Sequence, residues 1–464
     1  MSALLHTLVY AIGILGLFLL DRDWKARTSP ALWVPVIWVC IGGSRMVSQW
    51  LSFSATAPDS DQYLEGSPLD RAILTGLLVI AIVILIGRGQ RVVTLLRANW
   101  PIVLFFLYCG VSVVWSDFSD VAFKRWTKSL ADLAMVLIIL TDGNRTAAIK
   151  RFLARAGFLL LPGSIVVIKY YPQFGRVYDR WVGTMSLTGV ATDKNMLGLV
   201  CFVFGVGAVW RVTLAMKDGY RKSLKPLMAQ GILLLTALWL LWKANSMTSI
   251  SCFVFASALI VANSFPSLAR RRTLIHLMVL GILTVSVSAL FFQVGTGLVQ
   301  TVGRNSTLTG RTDLWAHLLK MSENPVLGTG FGSFWLGPRL EKLWATYWWH
   351  PNESHNGYLE IYLNLGWVGI FLLGVLIVTG YRHVIRLLRR EPDVGKLCLA
   401  YFVTGLTYNF TEAGFKTMNL IWISFMLAFM TIPKVAASKA TVLQQAQKQK
   451  QKQPLEKPLR ERVV

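Results

Sequence analysis

Charge is what this sequence has least of, and negative charge least of all: 15% of its 464 residues are charged, with 23 Asp and Glu against 47 Lys and Arg. So few charges exclude an ordinary water-soluble globular surface. Cysteine is scarce as well. Cys40, Cys109, Cys201, Cys252 and Cys398 all lie within or at the ends of apolar runs, and none forms a CxxC pair. That pattern excludes a disulfide framework and a zinc site and reads as core packing. The first apolar run lacks a basic n-region and a small-residue cleavage site, so we read it as a retained helix and not a signal peptide.

What the chain has is apolar length. Hydrophobic residues make up 54% of it, and runs recur near 4–20, 31–43, 72–87, 101–115, 129–141, 156–170, 196–210, 227–242, 247–263, 273–292, 357–379, 397–410 and 418–433. A bilayer core takes roughly 20 apolar residues per helix, so the reading is an all-α integral membrane protein of about twelve to thirteen transmembrane helices. The second run is short and meets Arg45; it either tilts, extends to Phe53 or fails to span. Basic residues concentrate in alternate loops, as in Arg270-Arg271-Arg272 and Arg382, Arg386, Arg389, Arg390. This is the positive-inside pattern, and it accounts for the net charge of +24 through topology and anionic lipid contact, without nucleic acid. Residues 1–433 form the polytopic domain on this reading. The Gln/Lys-rich stretch 434–464 reads as a basic, disordered cytoplasmic tail.

Two polar loops fall on the side opposite the basic ones: Tyr170 to Asn195, and a larger loop at about 293–356 with short helices of its own. Both carry cations where cations are otherwise scarce: Arg176, Arg180 and Lys194 in the first, Arg304, Arg311 and Arg339 in the second. Each can snorkel to lipid phosphates or hold an anionic ligand. In STLTGRTDLWAHLLK, Thr309 can cap a short surface helix whose apolar residues are Leu314, Trp315, Leu318 and Leu319. Arg311 in its first turn is then either a solvated side chain or half of an anion site built with free backbone N–H groups. The interleaved aromatics read first as an interfacial belt and second as a platform for sugar rings. GTGFGSF lacks the flanking strand and helix of a phosphate loop and reads as a flexible turn. HPNESH matches no zinc motif, so no metal and no cofactor is assigned.

The stretch SHNGYLEIYLNLGWVGI sets His355 at the start of an apolar helix, with Asn356, Glu360 and Asn364 following at spacings of four. Such a polar stripe faces a bundle interior or a cavity and can hold an imidazole in one tautomer. Gly366 and Gly369 would permit close helix contact. On these grounds His355 is equally a helix-capping interfacial histidine or a catalytic one.

The same residues resemble a known signature. His355-Asn356 followed by Gly366 and Gly369 resembles the end of the large periplasmic loop in the O-antigen ligase and O-antigen polymerase superfamily. TGRTDLW, NPVLGTGFGSF and RWVGTMSLTGVATDKNMLG resemble three further elements of it, the last ending in Lys194-Asn195-x-x-Gly. SDFSDVAFKRW and ATDKNMLG look most like exopolysaccharide polymerases of the rhizobial type. Trp315 stands where ligases often carry leucine, and thirteen spans would exceed their usual twelve.

The resemblance implies a metal-independent glycosyltransferase of the bacterial inner membrane, with its active site on the periplasmic face. Its donor would be a glycan on undecaprenyl diphosphate, its acceptor a sugar hydroxyl, and its product a longer exopolysaccharide or O-antigen chain. His355 would be the base, Arg311 and Arg180 the clamps on the leaving diphosphate, and Asn356 and Glu360 the groups orienting the imidazole. Lys194, Asn195, Arg304 and Trp315 would complete the substrate site. Membrane lipids are expected partners, and a chain-length-regulating co-polymerase is an open further one. Two alternatives stand beside it: a ligase delivering the glycan to lipid A core or protein, and a flippase or exporter of lipid-linked sugars with no chemistry. The absence of internal repeats and of charges deep in many spans weighs against the flippase.

Overall fold

The fold is taken from a computed structural model, which describes residues 3–23, 26–51, 66–178, 184–217, 220–269, 271–291 and 309–430. Arg180, Arg304 and the tail 434–464 lie outside the described residues. In chain order the elements are α1 (Ala3–Leu20), α2 (Trp33–Gly42), α3 (Val47–Leu51), α4 (Pro68–Gly87), α5 (Gly89–Ala98), α6 (Trp100–Val111), α7 (Ser119–Leu140) and α8 (Arg145–Tyr170). A small hairpin of β1 (Arg176–Tyr178) and β2 (Met185–Leu187) follows, paired Arg176 to Leu187. Then come α9 (Lys194–Lys217), α10 (Tyr220–Ala244), α11 (Met247–Ala262), α12 (Arg272–Phe291), α13 (Thr309–Lys320), α14 (Gly337–Thr346), α15 (Gly357–Arg390), α16 (Pro392–Thr411) and α17 (Leu420–Phe429).

Every apolar run read from the sequence falls on one of these helices, the form in which an apolar segment satisfies its own backbone. The span count differs. Among the described residues five helices are long and apolar enough to cross a membrane, or six if the bent pair α5 and α6 acts as one. The remaining helices are either short, like the 10-residue α2 and α17, or broken up by polar residues, as in α7 (SDVAFKRWTKSLADL…). The second run ends with α2 at Gly42, and the stretch toward Phe53 begins a separate helix, α3. Arg45 lies between them, its guanidinium donating to the carbonyls of Phe174 (2.6 Å), Gly189 (3.2 Å) and Val190 (3.3 Å).

Buried length separates inner from outer helices. Only 17% of the apolar window of α4 is buried, against 72% of that of α9, so α4 presents its apolar side outward and α9 packs inside the bundle. Helix α16 is buried along nearly its whole length and packs against α9, α11, α15 and α17. Tyr401 on α16 donates to the Val203 carbonyl at 2.8 Å, and Tyr408 stacks on Phe202. These contacts bring the start of α9 and the end of α16 to one end of the bundle. At the opposite end Lys217 pairs with Asp393 and Arg145 with Glu391.

Helix α15 is broken at Gly366, which takes φ 63° and ψ −162°. The break frees carbonyls and amides inside an apolar region, where each must be paired. The turn Asn324–Gly330 supplies most of the partners. Trp367 N–H donates to Pro325 O (2.9 Å) and Val368 N–H to Val326 O (3.2 Å), while Thr329 and Gly330 donate to the carbonyls of Leu363 and Asn364. The Tyr108 hydroxyl donates to Leu365 O. Gly328, Gly330 and Gly332 all have positive φ, so NPVLGTGFGSF is a shaped wedge and not a flexible turn. Gly366 and Gly369 serve the break: a Cβ at Gly366 would lie 2.2 Å from Val326 O, and one at Gly369 2.3 Å from Leu365 Cβ of the same helix. Neither makes the contact with a neighbouring helix that their spacing suggested.

The larger loop has a core of its own. Leu314, Leu318, Phe334, Trp335, Leu340 and Leu343 are buried together with Leu363 of α15. Leu314 and Leu318 therefore point inward as expected of α13, but Leu319 is exposed. The buried Asp132 of α7 accepts from Trp38 Nε1 (2.8 Å) and from Met418 N–H (2.9 Å). It thereby fastens the segment between α16 and α17.

Gly366→Ala should lower the stability of the detergent-solubilised protein by about 1–3 kcal/mol, through strain at a backbone conformation reserved for glycine and collision with Val326. Gly374→Ala, where a Cβ meets nothing within 4 Å, should leave it unchanged. Thermal denaturation followed by tryptophan fluorescence separates the two.

Candidate functional site

Where α15 begins and α16 ends, three segments carry charged groups into one cluster. Asn356 is the N-cap of α15: its Oδ1 accepts from the N–H groups of Tyr358 and Leu359, both at 3.0 Å. Its Nδ2 donates to the Phe410 carbonyl near the end of α16 (3.2 Å). Asn356 acts as a rivet between two helices and does not hold His355. Gly357 allows that close approach, since a Cβ there would lie 1.8 Å from Asn409 Oδ1.

His355 itself sits at φ 53°, in the left-handed region that non-glycine residues occupy at a cost. Three contacts with its neighbours enforce this. Trp315 Nε1 donates to the Ser354 carbonyl (2.7 Å), the Ser354 hydroxyl donates to Asn356 O (2.9 Å), and Glu360 Oε1 accepts from Ser354 N–H (2.6 Å). Glu360 also accepts from Trp335 Nε1 at 2.9 and 3.1 Å. Glu360 and Trp315 thus shape the loop around His355. Neither touches the imidazole.

The imidazole is held by two acids that the helical spacing did not reveal. Nδ1 lies 3.1 Å from Glu353 Oε1 and 3.2 Å from Glu412 Oε2. Glu412 also meets Arg311 Nη2 at 3.4 Å, Arg311 Nη1 donates to the Thr411 carbonyl, and Glu353 is bound by Lys416. The indole of Trp349 stacks on the His355 ring, with centroids 6.3 Å apart. Burial disfavours the imidazolium, but the hydrogen bonds and charges of Glu353 and Glu412 outweigh it and raise His355 from 6.5 to about 9. For Glu353, burial works against the carboxylate, yet Lys416 and His355 hold it well below the usual carboxylate range. At neutral pH the cluster therefore has three cations, Arg311, His355 and Lys416, against two carboxylates. An excess positive charge at a partly open site suits an anionic ligand.

Glu353 and Glu412, with His355, bring three ligand atoms within 4.8 Å of one another, a spacing a metal ion can bridge. Lys416 and Arg311 already neutralise both carboxylates, so the chemistry of the set is that of ion pairs. His350, the third member suggested by HPNESH, instead stacks on Trp344 with centroids 4.9 Å apart.

Lys194 and Asn195 open α9, where Asp193 Oδ1 accepts from the N–H groups of Asn195 and Met196, both at 2.9 Å. Lys194 is exposed. Gly198 lets α9 lie against α11, a Cβ there falling 2.7 Å from Ser246 Cβ. The charge of Asp193 acts on Lys416, so the start of α9 borders the cluster without joining its hydrogen bonds. Of the residues expected from the sequence, Arg311 and His355 come together. Asn356, Glu360 and Trp315 frame them.

An all-α bundle with several helices long and apolar enough to cross a membrane defines a multi-pass membrane protein, here with a charge-paired histidine at one end of those helices. The sequence model of a family described as O-antigen ligase (Wzy_C) matches residues 184–374. The exopolysaccharide production protein ExoQ of Rhizobium meliloti (strain 1021) is 26% identical over 348 residues, covering 71% of this chain and 76% of its own length. Over these stretches the chain is similar to proteins of the O-antigen ligase and exopolysaccharide-production type. The matched span takes in Arg311, Glu353, His355 and the break at Gly366; Glu412 and Lys416 lie beyond it.

Because two carboxylates raise the imidazole, Glu412→Gln should bring the titration of His355 down by about a unit or more. Carbethoxylation at His355, which needs the neutral ring, should accordingly reach half its maximal rate near pH 9 in the wild type and at lower pH in the variant, read by peptide mass spectrometry.

Proposed function

We propose that the protein is a metal-independent polymerase that transfers an undecaprenyl-diphosphate-linked glycan to the sugar hydroxyl of an acceptor chain on the periplasmic face of the inner membrane. The observation that carries this reading is the His355–Glu412–Arg311 chain, which joins a carboxylate-supported imidazole to a guanidinium. The likeness to an exopolysaccharide production protein favours polymerisation over ligation. The basic residues at the far end of the bundle favour an outward-facing site.

In this mechanism neutral His355 donates Nδ1–H to Glu412 or Glu353, which fixes the tautomer and leaves Nε2 free to accept a proton. Nε2 takes the proton of the acceptor hydroxyl as its oxygen attacks C1 of the donor sugar. The C1–O bond to the diphosphate breaks, and the electron pair leaves with the phosphate oxygen. Attack opposite the leaving group inverts the anomeric carbon. The imidazolium formed lies between two carboxylates, and Arg311, with Arg180 as the second clamp, stabilises the departing charge. Lys194, Asn195 and Arg304 would line the donor's path. A chain-length-regulating co-polymerase would act on the emerging product.

Purified protein given lipid-linked repeat units alone should form longer chains. Unchanged substrate that becomes product only on adding lipid A core or protein would instead make it a ligase, and relocation across a vesicle without conversion a flippase. His355→Ala should abolish product while the protein still accumulates in the membrane. Arg311→Ala should cost about 10²- to 10³-fold in rate, and Arg311→Lys less; full activity in Arg311→Ala removes the clamp. Since the reacting form is the neutral imidazole and its folded value is about 9, the rate should rise with pH toward 9.

A further inference from the structure

The geometry points to Lys416 as a ligand of the donor's diphosphate, with Glu353 as the internal carboxylate that occupies it until the donor arrives. This rests on the diphosphate-linked donor proposed above and assigns to it a residue beyond the stretch 184–374 that the family model matches.

Lys416 is the most open cation of the cluster. Its side chain is 52% exposed, against 23% for Arg311 and 24% for His355. It binds Glu353 Oε2, while Oε1 of the same carboxylate meets His355 Nδ1 at 3.1 Å. A ligand reaching the imidazole therefore arrives beside the ammonium. Only the ammonium end of this pair is open, Glu353 being 21% exposed, so an arriving anion meets the lysine first, and a diphosphate offers more negative charge and more acceptor oxygens than one carboxylate.

The backbone under Lys416 is fixed although its side chain is open. Asn409 Oδ1 accepts from Gly414 N–H (2.8 Å) and Phe415 N–H (2.9 Å). The Phe415 ring packs edge-on against Tyr358 and Trp422. On the other side Met418 N–H is held by the buried Asp132, and Asn419 caps α17. The segment is anchored on both sides of one flexible four-methylene arm. The ammonium can leave Glu353 for an anion without any movement of the chain, and Glu353 keeps His355 as its partner when it does.

The test is the affinity of the full-length protein in detergent for undecaprenyl diphosphate and for undecaprenyl monophosphate, followed by tryptophan fluorescence. Wild type should prefer the diphosphate. Lys416→Gln should weaken diphosphate binding about tenfold or more, as expected for loss of a charge-assisted contact. Lys416→Arg should bind within a few-fold of wild type, and Glu353→Gln, which removes the competing carboxylate, should bind the diphosphate more tightly. A Lys416→Gln protein that binds like wild type, while Arg311→Ala loses affinity, overturns the role of Lys416 and spares the proposed function. Weaker binding in Glu353→Gln overturns the competition. A wild type that does not distinguish the two lipids overturns the diphosphate donor and this inference with it.

Discussion

The rest of the structure depends on the break in α15 at Gly366. Opening a helix inside an apolar region leaves carbonyls and amides that no water can reach, so they must find partners in the protein. The turn after Asn324 fills that need, and in doing so it fixes the far half of the larger loop to the bundle. With the turn anchored, Phe334 and Trp335 close over α13 and α14. Trp335 and Trp315 then grip Glu360 and Ser354 on either side of His355. A glycine one helical turn or more from the site thus sets the position of its imidazole and, through α13, of Arg311.

The second constraint is electrostatic. Arg311, Glu412, His355, Glu353 and Lys416 form an alternating chain of charge supplied by three separate segments. Each group is stabilised by its neighbours, which is how a partly buried imidazole gains basicity despite burial. The chain leaves an odd positive charge, which would be a liability in an apolar setting but suits an arriving anion. The buried Asp132 contributes at a distance by holding the segment that carries Glu412 and Lys416.

Much of this was legible in the chain itself. Apolar runs located the apolar helices, though not the amphipathic α5, α13 and α14, because hydropathy is local; His355 at the start of such a helix was equally a cap or a base on local grounds, and only the family resemblance singled it out. The span count was less legible. Length and apolarity along the chain do not say whether a run is lipid-facing or buried among other helices, and α2, α7, α16 and α17 are of the kind that only packing distinguishes. The polar stripe Asn356, Glu360, Asn364 was real, but its members bind backbone and indole groups. Stripe periodicity places residues on a face without naming what faces them.

The sequence by itself determined the apolar, helical membrane architecture and the histidine–asparagine pair at the start of an apolar helix, since each rests on residues near one another along the chain. Only the tertiary structure decided that the imidazole answers to Glu353 and Glu412, that Gly366 marks a broken helix wedged by a distant turn, and that Lys416 shares a carboxylate with His355. Those contacts join residues as many as 63 positions apart, and a distance of that kind is closed by the packing of α15 against α16, which no local pattern encodes.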